Sequence, residues 1–465
     1  MNKKIFVLLP DGVGLRNFAF TQFRDFGMKK GFEVVYWNNT VFDLSRLGFK
    51  EVKIEKFKCH PLTDLLKTAK VQIDLNLNIK RENDKVYDSY RFPFSYHTLK
   101  NTLKSIAIHL IMFVFSSEKG IRKIRKTIIS KEKTTTYYQD CINTLEKEKP
   151  AMVFCTNQRI TLAVAPILAA QDLGIPTATF IFSWDNLPKA TMVVETDYYI
   201  VWSDYMKAEL LFYYPYIKTE QVFVTGTPQF EPHFDKSLLR DKKDFFNLHG
   251  LNLNRKYICF SGDDVTTSPD DEKYLADVAV AIESLNAKGG NLGIIFRRCP
   301  VDFSNRYDSV LKRYSDIIVS INPLWNQSGN TWNTVMPTAE DIALQVNIIS
   351  NSELVVNIAS SMVFDFVAFN KPCLYINYDV KDKRRKDWSS KNIYNFIHFR
   401  SMPTKDSVFW INDPNEIAEI IEKMLGDDSK KITANAQLWF EKINAHPAEL
   451  ASVRIWDSIA EIIGK

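Results

Sequence analysis

Two carboxylates and a pair of serines frame the chemistry open to this chain. Asp11, in "LLPDGVGLRNF", and Asp185, in "FIFSWDNLPKA", each follow a strand-like apolar run. A carboxylate so placed can take a proton from a hydroxyl, which makes both candidate general bases; capping of the next helix is the alternative for each. In "SELVVNIASSMVFDFVAFNKPCLYIN", Ser360 and Ser361 stand where a strand hands over to a helix, with Asp365 one turn later. Hydroxyls and free backbone N–H groups at such a junction can hold a phosphate, and Asp365 could accept both hydroxyls of a ribose. An ordinary serine cap with a helical Asp is the plainer reading.

A helix dipole stabilises an anion by only about 0.3–1 kcal/mol, so a phosphate site needs a formal charge as well. Arg297 and Arg298, in "GIIFRRCPVD", end another buried strand. A guanidinium on a phosphate contributes about 1.5–3 kcal/mol. Successive strand residues face opposite ways, so one of the two is expected to serve. Gly262, in "FSGDDVTTSPDDEKYL", allows close backbone approach. Thr338 and Glu340, in "NTVMPTAEDIAL", open a helix that could edge a base or sugar, unless Thr338 and Asp341 form a simple capping box.

These residues need strands that end together, and the chain supplies them. Apolar runs such as "KIFVLLP", "FEVVYWN", "AMVFCT", "DYYIVWS", "KYICFSG" and "PCLYIN" alternate with helical stretches, among them 17–30, 161–173, 204–213, 271–287, 339–349 and 361–370. Strands without clean alternation belong to parallel sheets covered on both faces, so an α/β architecture of two doubly wound halves is expected. In such sheets ligands bind beyond the carboxyl ends of the strands. The expected division is a first domain over 1–230, a charged linker over 231–255, a second domain over 256–440, and a terminal segment over 441–465 whose helix could return to the first domain.

Composition narrows the class. The chain has 465 residues, with 45% hydrophobic and 25% charged, the balance of an ordinary globular protein. Its six cysteines include no CxxC and its seven histidines no HxxxH pair, so no metal site is expected and a reducing, cytoplasmic compartment is. The run "SIAIHLIMFVF" is too short to cross a bilayer. Net charge is +9 over 1–230 and −4 over the remainder, and the basic excess gathers at Lys119, Arg122, Lys123, Arg125 and Lys126 beside that run. A basic, apolar helix pair could meet an acidic acceptor or the inner face of a membrane, or simply be a core helix followed by a solvated one. Nucleic acid is disfavoured, because no stacking aromatics interleave with the basic residues.

Several of these stretches resemble the GT-B glycosyltransferases of bacterial surface polysaccharide synthesis. "VFVTGTPQFE" looks like the hinge strand of lipid A Kdo transferases and UDP-GlcNAc 2-epimerases, and "IIFRRCP" resembles their strand-plus-arginine element. "NIASSMVFDFVAFNKPCLYI" is similar to the donor-site helix of teichoic-acid-type polymerases, although Ala359-Ser360-Ser361 replaces the usual His-Gly or Gly-Gly turn and no HxGxxG motif follows the first strand. The resemblance implies two Rossmann-like domains facing a cleft and sugar transfer from a nucleotide-activated donor to a carbohydrate or lipid-linked acceptor. It also implies no cofactor and a donor held by Arg298, Ser360, Ser361 and Asp365. A nucleotide-sugar epimerase, a CDP-polyol phosphotransferase and a non-catalytic binding subunit are the rival readings.

Overall fold

The computed structural model describes residues 3–327 and 335–464. It divides into an N-terminal unit, Met1–Thr227 with Phe396–His398 and Ile443–Lys465, and a C-terminal unit, Pro228–Asn395 with Phe399–Lys442.

The N-terminal unit is built on seven parallel strands: β1 (Lys3–Leu9), β2 (Phe32–Asn38), β3 (Lys50–Lys53), β4 (Met152–Cys155), β5 (Thr177–Phe180), β6 (Tyr198–Val201) and β7 (Val222–Val224). Their order is β3-β2-β1-β4-β5-β6-β7, so the winding reverses between β1 and β4. Ile5 through Leu9 are all fully buried, which requires cover on both faces of the sheet. Between β3 and β4 lies a helical insert of Thr63–Glu82, Leu99–Val114, Glu118–Glu132 and Thr136–Glu148. The single helix expected over 17–30 is two short ones, Gly12–Phe18 and Phe23–Lys29. Thr21 separates them by donating to the Asn17 carbonyl at 2.7 Å and accepting from Phe23 N. The final helix, Ala451–Gly464, lies in this unit, where Trp456 stacks on Phe23 at 4.9 Å and on Phe32 at 5.2 Å.

The C-terminal unit has a second parallel sheet: β8 (Lys256–Ser261), β9 (Leu292–Arg297), β10 (Ile318–Ser320), β13 (Val355–Asn357), β14 (Cys373–Ile376) and β15 (Phe409–Ile411), with a small antiparallel pair, β11 (Asn326–Gln327) and β12 (Val335–Met336). Its order, β10-β9-β8-β13-β14-β15, reverses between β8 and β13. The stretch expected as a linker, 231–255, is instead part of this unit. Its helix Lys242–His249 buries Phe245 and Phe246, and Phe246 packs edge-on against Tyr257 of β8. Charge density on the exposed face had hidden that apolar pair.

Candidate functional site

Loops at the two reversal points are where open α/β sheets take ligands. In the C-terminal unit these follow β8 and β13. After β13 the chain turns through Ala359, whose φ of 55° is a conformation glycine adopts without penalty. Asn357 Oδ1 accepts from Ser360 N at 3.0 Å and the Tyr375 hydroxyl donates to the Ser360 carbonyl at 2.8 Å, which fixes the turn. Ser360 and Ser361 are half-buried, and the Ser361 hydroxyl makes no capping bond to the helix Met362–Val367.

Asp365 does not stand with them. It is 2% exposed, and its Oδ1 lies 2.6 Å from His233 Nε2 and 3.5 Å from Gln345 Nε2. The helix Met362–Val367 is buried on every side, so the position one turn beyond Ser361 faces protein, and the expected ribose contact is corrected to an internal bond.

Arg297 is likewise withdrawn. Its Nη2 pairs with both oxygens of Asp341 at 3.0 and 2.8 Å, and the same carboxylate accepts from Leu324 N and Trp325 Nε1. Arg298 donates to the Ser304 carbonyl at 2.8 Å and its guanidinium lies 5.2 Å from the centre of the Tyr307 ring, so it is tethered within its own loop. A Cβ at Gly262 would crowd Tyr307 Oη at 3.0 Å and Phe296 at 3.1 Å, so packing gives its own reason for the glycine. Thr338 caps the helix Ala339–Ser350 by accepting from Asp341 N at 3.2 Å, and Glu340 is exposed.

The loop after β8 carries acids that the sequence marks only as unsuited to a phosphate. Asp263 N donates to Asp271 Oδ2 at 3.1 Å, which also accepts from the Tyr307 hydroxyl at 2.7 Å. Burial first, then the neighbouring Asp271 and Asp264, push the Asp263 pKa up, and burial lifts Asp271 to about 6. The doubled "DD" on either side of that loop was the available signal.

In the N-terminal unit, Asp11 bridges the reversal point. It caps the helix Gly12–Phe18, accepting from Gly14 N at 3.4 Å, and its other oxygen accepts from Asn157 Nδ2, beyond β4, at 2.6 Å. Burial pushes its pKa up against the lowering effect of those bonds. Gly14 is needed because a Cβ there would come within 2.5 Å of Thr156 Oγ1.

Asp185 is different, being partly exposed in the loop after β5. Ser183 Oγ and Asn186 Nδ2 each donate to Oδ1 at 2.7 Å, and Lys189 forms an ion pair with Oδ2. Burial works to raise its pKa, but the Lys189 ammonium and the His398 ring outweigh that and hold the carboxylate well below its usual range. His398, whose ring stands 4.7 Å edge-on to Trp184, is pushed down to about 4 by burial. Glu209, on the helix Asp204–Tyr213, is buried with neither carboxyl oxygen hydrogen-bonded. Burial, aided by the negative charge of Asp185, lifts its pKa to about 8. The sequence reading missed both: Glu209 has the look of a surface helix charge, and His398 arrives from far along the chain.

Lys119, Arg122, Lys123 and Lys126 are exposed. Arg125 is not among them: it is paired with Glu195 and lies 3.4 Å from the centre of the Tyr216 ring. That pair borders a cavity of about 220 Å³ also lined by Ile128, Ile167 and Gln221. Gln221 directly precedes β7, so this cavity opens at the amino edge of the sheet, away from the loops just described. Among the described residues, no His, Cys, Asp and Glu cluster is arranged to hold a metal, and no helix is long and apolar enough to cross a membrane.

No protein-family model matches the chain. No curated protein matches it either. Solved structures do. A co-structure of S. aureus MnaA with UDP aligns over 99% of this chain and 97% of its own, with 13% identity and a TM-score of 0.53. A UDP-N-acetylglucosamine 2-epimerase aligns over 100% and 96%, with 13% identity and a TM-score of 0.54. A glycosyltransferase from Rickettsia africae aligns over 99% and 99%, with 11% identity and a TM-score of 0.53. At such identities the likeness defines the fold: this is a GT-B chain of two doubly wound α/β domains.

Proposed function

We propose that this chain is an enzyme acting on a nucleotide-activated sugar, with Asp185 and Glu209 as its paired catalytic carboxyl groups. One observation carries the reading: Asp185 is held ionised at the carboxyl edge of its sheet while Glu209, beside it, is kept protonated near neutral pH. Acids driven apart in proton affinity are the arrangement in which one stays charged while the other holds a proton it can give. The donor phosphates are assigned to Ser360 and Ser361, the Ser361 hydroxyl making no cap bond to the helix. Arg298 would join them only by releasing Ser304.

The S. aureus relative carries UDP and another relative is a 2-epimerase, which supports a UDP-sugar and epimerisation within it. Sugar transfer to a carbohydrate or lipid-linked acceptor is the second reading. The Rickettsia relative supports it, as does the exposed apolar helix Leu99–Val114, for which an epimerase of small dissolved substrates has no use. The likeness reaches the fold and not the Kdo-transferase-like or teichoic-acid-polymerase-like specificity.

Proton NMR of the anomeric region separates the two. An epimer appearing from UDP-GlcNAc without acceptor identifies the first, and UDP release that requires acceptor identifies the second. In either case Asp185→Asn should lower turnover by about 10²–10⁴ while leaving the nucleotide-induced thermal shift in place. A panel of UDP, GDP, CMP, CDP and dTDP that shifts the melting curve nowhere, with no turnover, sinks the proposal and favours a non-catalytic subunit.

A further inference from the structure

On the helix Leu99–Val114, Leu99, Leu103, Ile106, Leu110 and Phe113 are all exposed, Leu99 at 76% and Phe113 at 83%. Their spacing of four, three, four and three residues sets them on one stripe, opposite the buried Ser105 and Ile108. Phe92, 80% exposed, adds to the apolar surface just before the helix. Scattered exposed leucines are ordinary, but a continuous line of five large apolar side chains is not.

Charge says what covers the stripe. Lys100 and Lys104 flank it, and Leu99–Val114 contains no acidic residue. The next helix, Glu118–Glu132, exposes Lys119, Arg122, Lys123 and Lys126, and both helices pack on Thr63–Glu82. Between residues 92 and 126 six basic side chains are exposed, Lys100, Lys104, Lys119, Arg122, Lys123 and Lys126, against one acidic, Glu118. A second copy is a poor fit. The stripe offers only about two heptads where a coiled coil needs three or four, and pairing would set Lys100 and Lys104 against their like with no acid on the helix to meet them. An anionic bilayer surface matches both features, taking the apolar stripe among its acyl chains and the lysines among its headgroups.

We propose that Leu99–Val114 docks this protein in-plane on an anionic lipid surface, with the basic face of Glu118–Glu132 reinforcing the contact. This needs neither donor nor turnover, so its failure would leave the enzymatic reading standing. The test is co-sedimentation of the full chain with vesicles of phosphatidylcholine alone and of phosphatidylcholine mixed with phosphatidylglycerol, at low and high salt. Binding should require phosphatidylglycerol and weaken as salt rises. It should fall at least about tenfold in Leu103→Asp/Leu110→Asp and in Lys100→Glu/Lys104→Glu. Because these side chains are exposed, circular dichroism and melting should be unchanged. No partition onto anionic vesicles, or partition equal in the variants, overturns the proposal. So does a concentration-dependent dimer, lost in Leu103→Asp/Leu110→Asp, from a chain that ignores vesicles.

Discussion

His233 Nε2 lies 2.6 Å from Asp365 Oδ1, and both side chains are sealed from solvent within the C-terminal unit. This bond joins the segment Pro228–Phe234 to the helix that begins after Ser361. Asp365→Ala leaves the buried imidazole without its acceptor and should cost about 1.5–3 kcal/mol in urea unfolding. Asp365→Asn keeps an acceptor and should cost less. Folded Asp365→Asn should still give a nucleotide thermal shift; loss of that shift without loss of stability would restore a ligand-binding role to this carboxylate.

The pair of Arg297 and Asp341 makes a sharper case, because Asp341 serves three donors at once. Arg297→Met strands a buried carboxylate and should destabilise by about 3–5 kcal/mol. Adding Asp341→Leu should recover little, since Leu324 N and Trp325 Nε1 then lose their acceptor in turn. A double variant as stable as the parent in denaturant titration would show the carboxylate to be dispensable scaffold.

The architecture was legible because buried parallel strands are written as unbroken apolar runs, and "KIFVLLP" or "PCLYIN" admits few other readings. The loops after β1, β5, β8 and β13 could therefore be located, and Asp11, Asp185 and Ser361 do lie in them. What the side chains bond to was not legible. Arg297 and Arg298 look equivalent in sequence, yet the first is consumed by a carboxylate from a later helix and the second by its own loop. Asp365 keeps the expected spacing from Ser361 and still faces inward, because its helix is buried all round. Spacing along one element says which face a residue shares, not whether another element already covers that face. The same limit hid Glu209, whose environment is assembled from segments far apart in the chain.

Gly27 and Trp456 are coupled within the N-terminal unit. A Cβ on Gly27 would stand 2.3 Å from the indole, which donates Nε1–H to the Phe23 carbonyl at 2.7 Å. Gly27→Ala should therefore cost about 1–3 kcal/mol despite alanine's better helix propensity, and Trp456→Ala about 3–5 kcal/mol. The double variant should cost clearly less than the sum, because removing the indole relieves the clash. Additive losses in a thermal-unfolding cycle would deny the contact.

Glu209 should shape the pH dependence of stability. Its ordinary pKa of 4.5 rises to about 8 in the fold, so between those values the folded chain holds a proton that the unfolded chain has released. Stability then falls as pH rises, by up to about 1.4 kcal/mol per unit, and above about 8 the full cost is present. His398 acts in the opposite sense: its ordinary value of 6.5 falls to about 4, so the unfolded chain binds the extra proton and stability rises with pH across that window. The two slopes offset one another from about pH 4.5 to 6.5, and from there to about 8 Glu209 titrates without His398, its fall added to that of the raised Asp263. Glu209→Gln, which cannot titrate, should remove the Glu209 fall from the profile. It should also gain on the parent up to a plateau above pH 8, on the order of 3–5 kcal/mol. Urea unfolding of parent and variant from pH 4 to 9 decides the matter, since stability curves that run parallel across the range would mean that Glu209 is ionised in the fold and solvated in a way its surroundings do not allow.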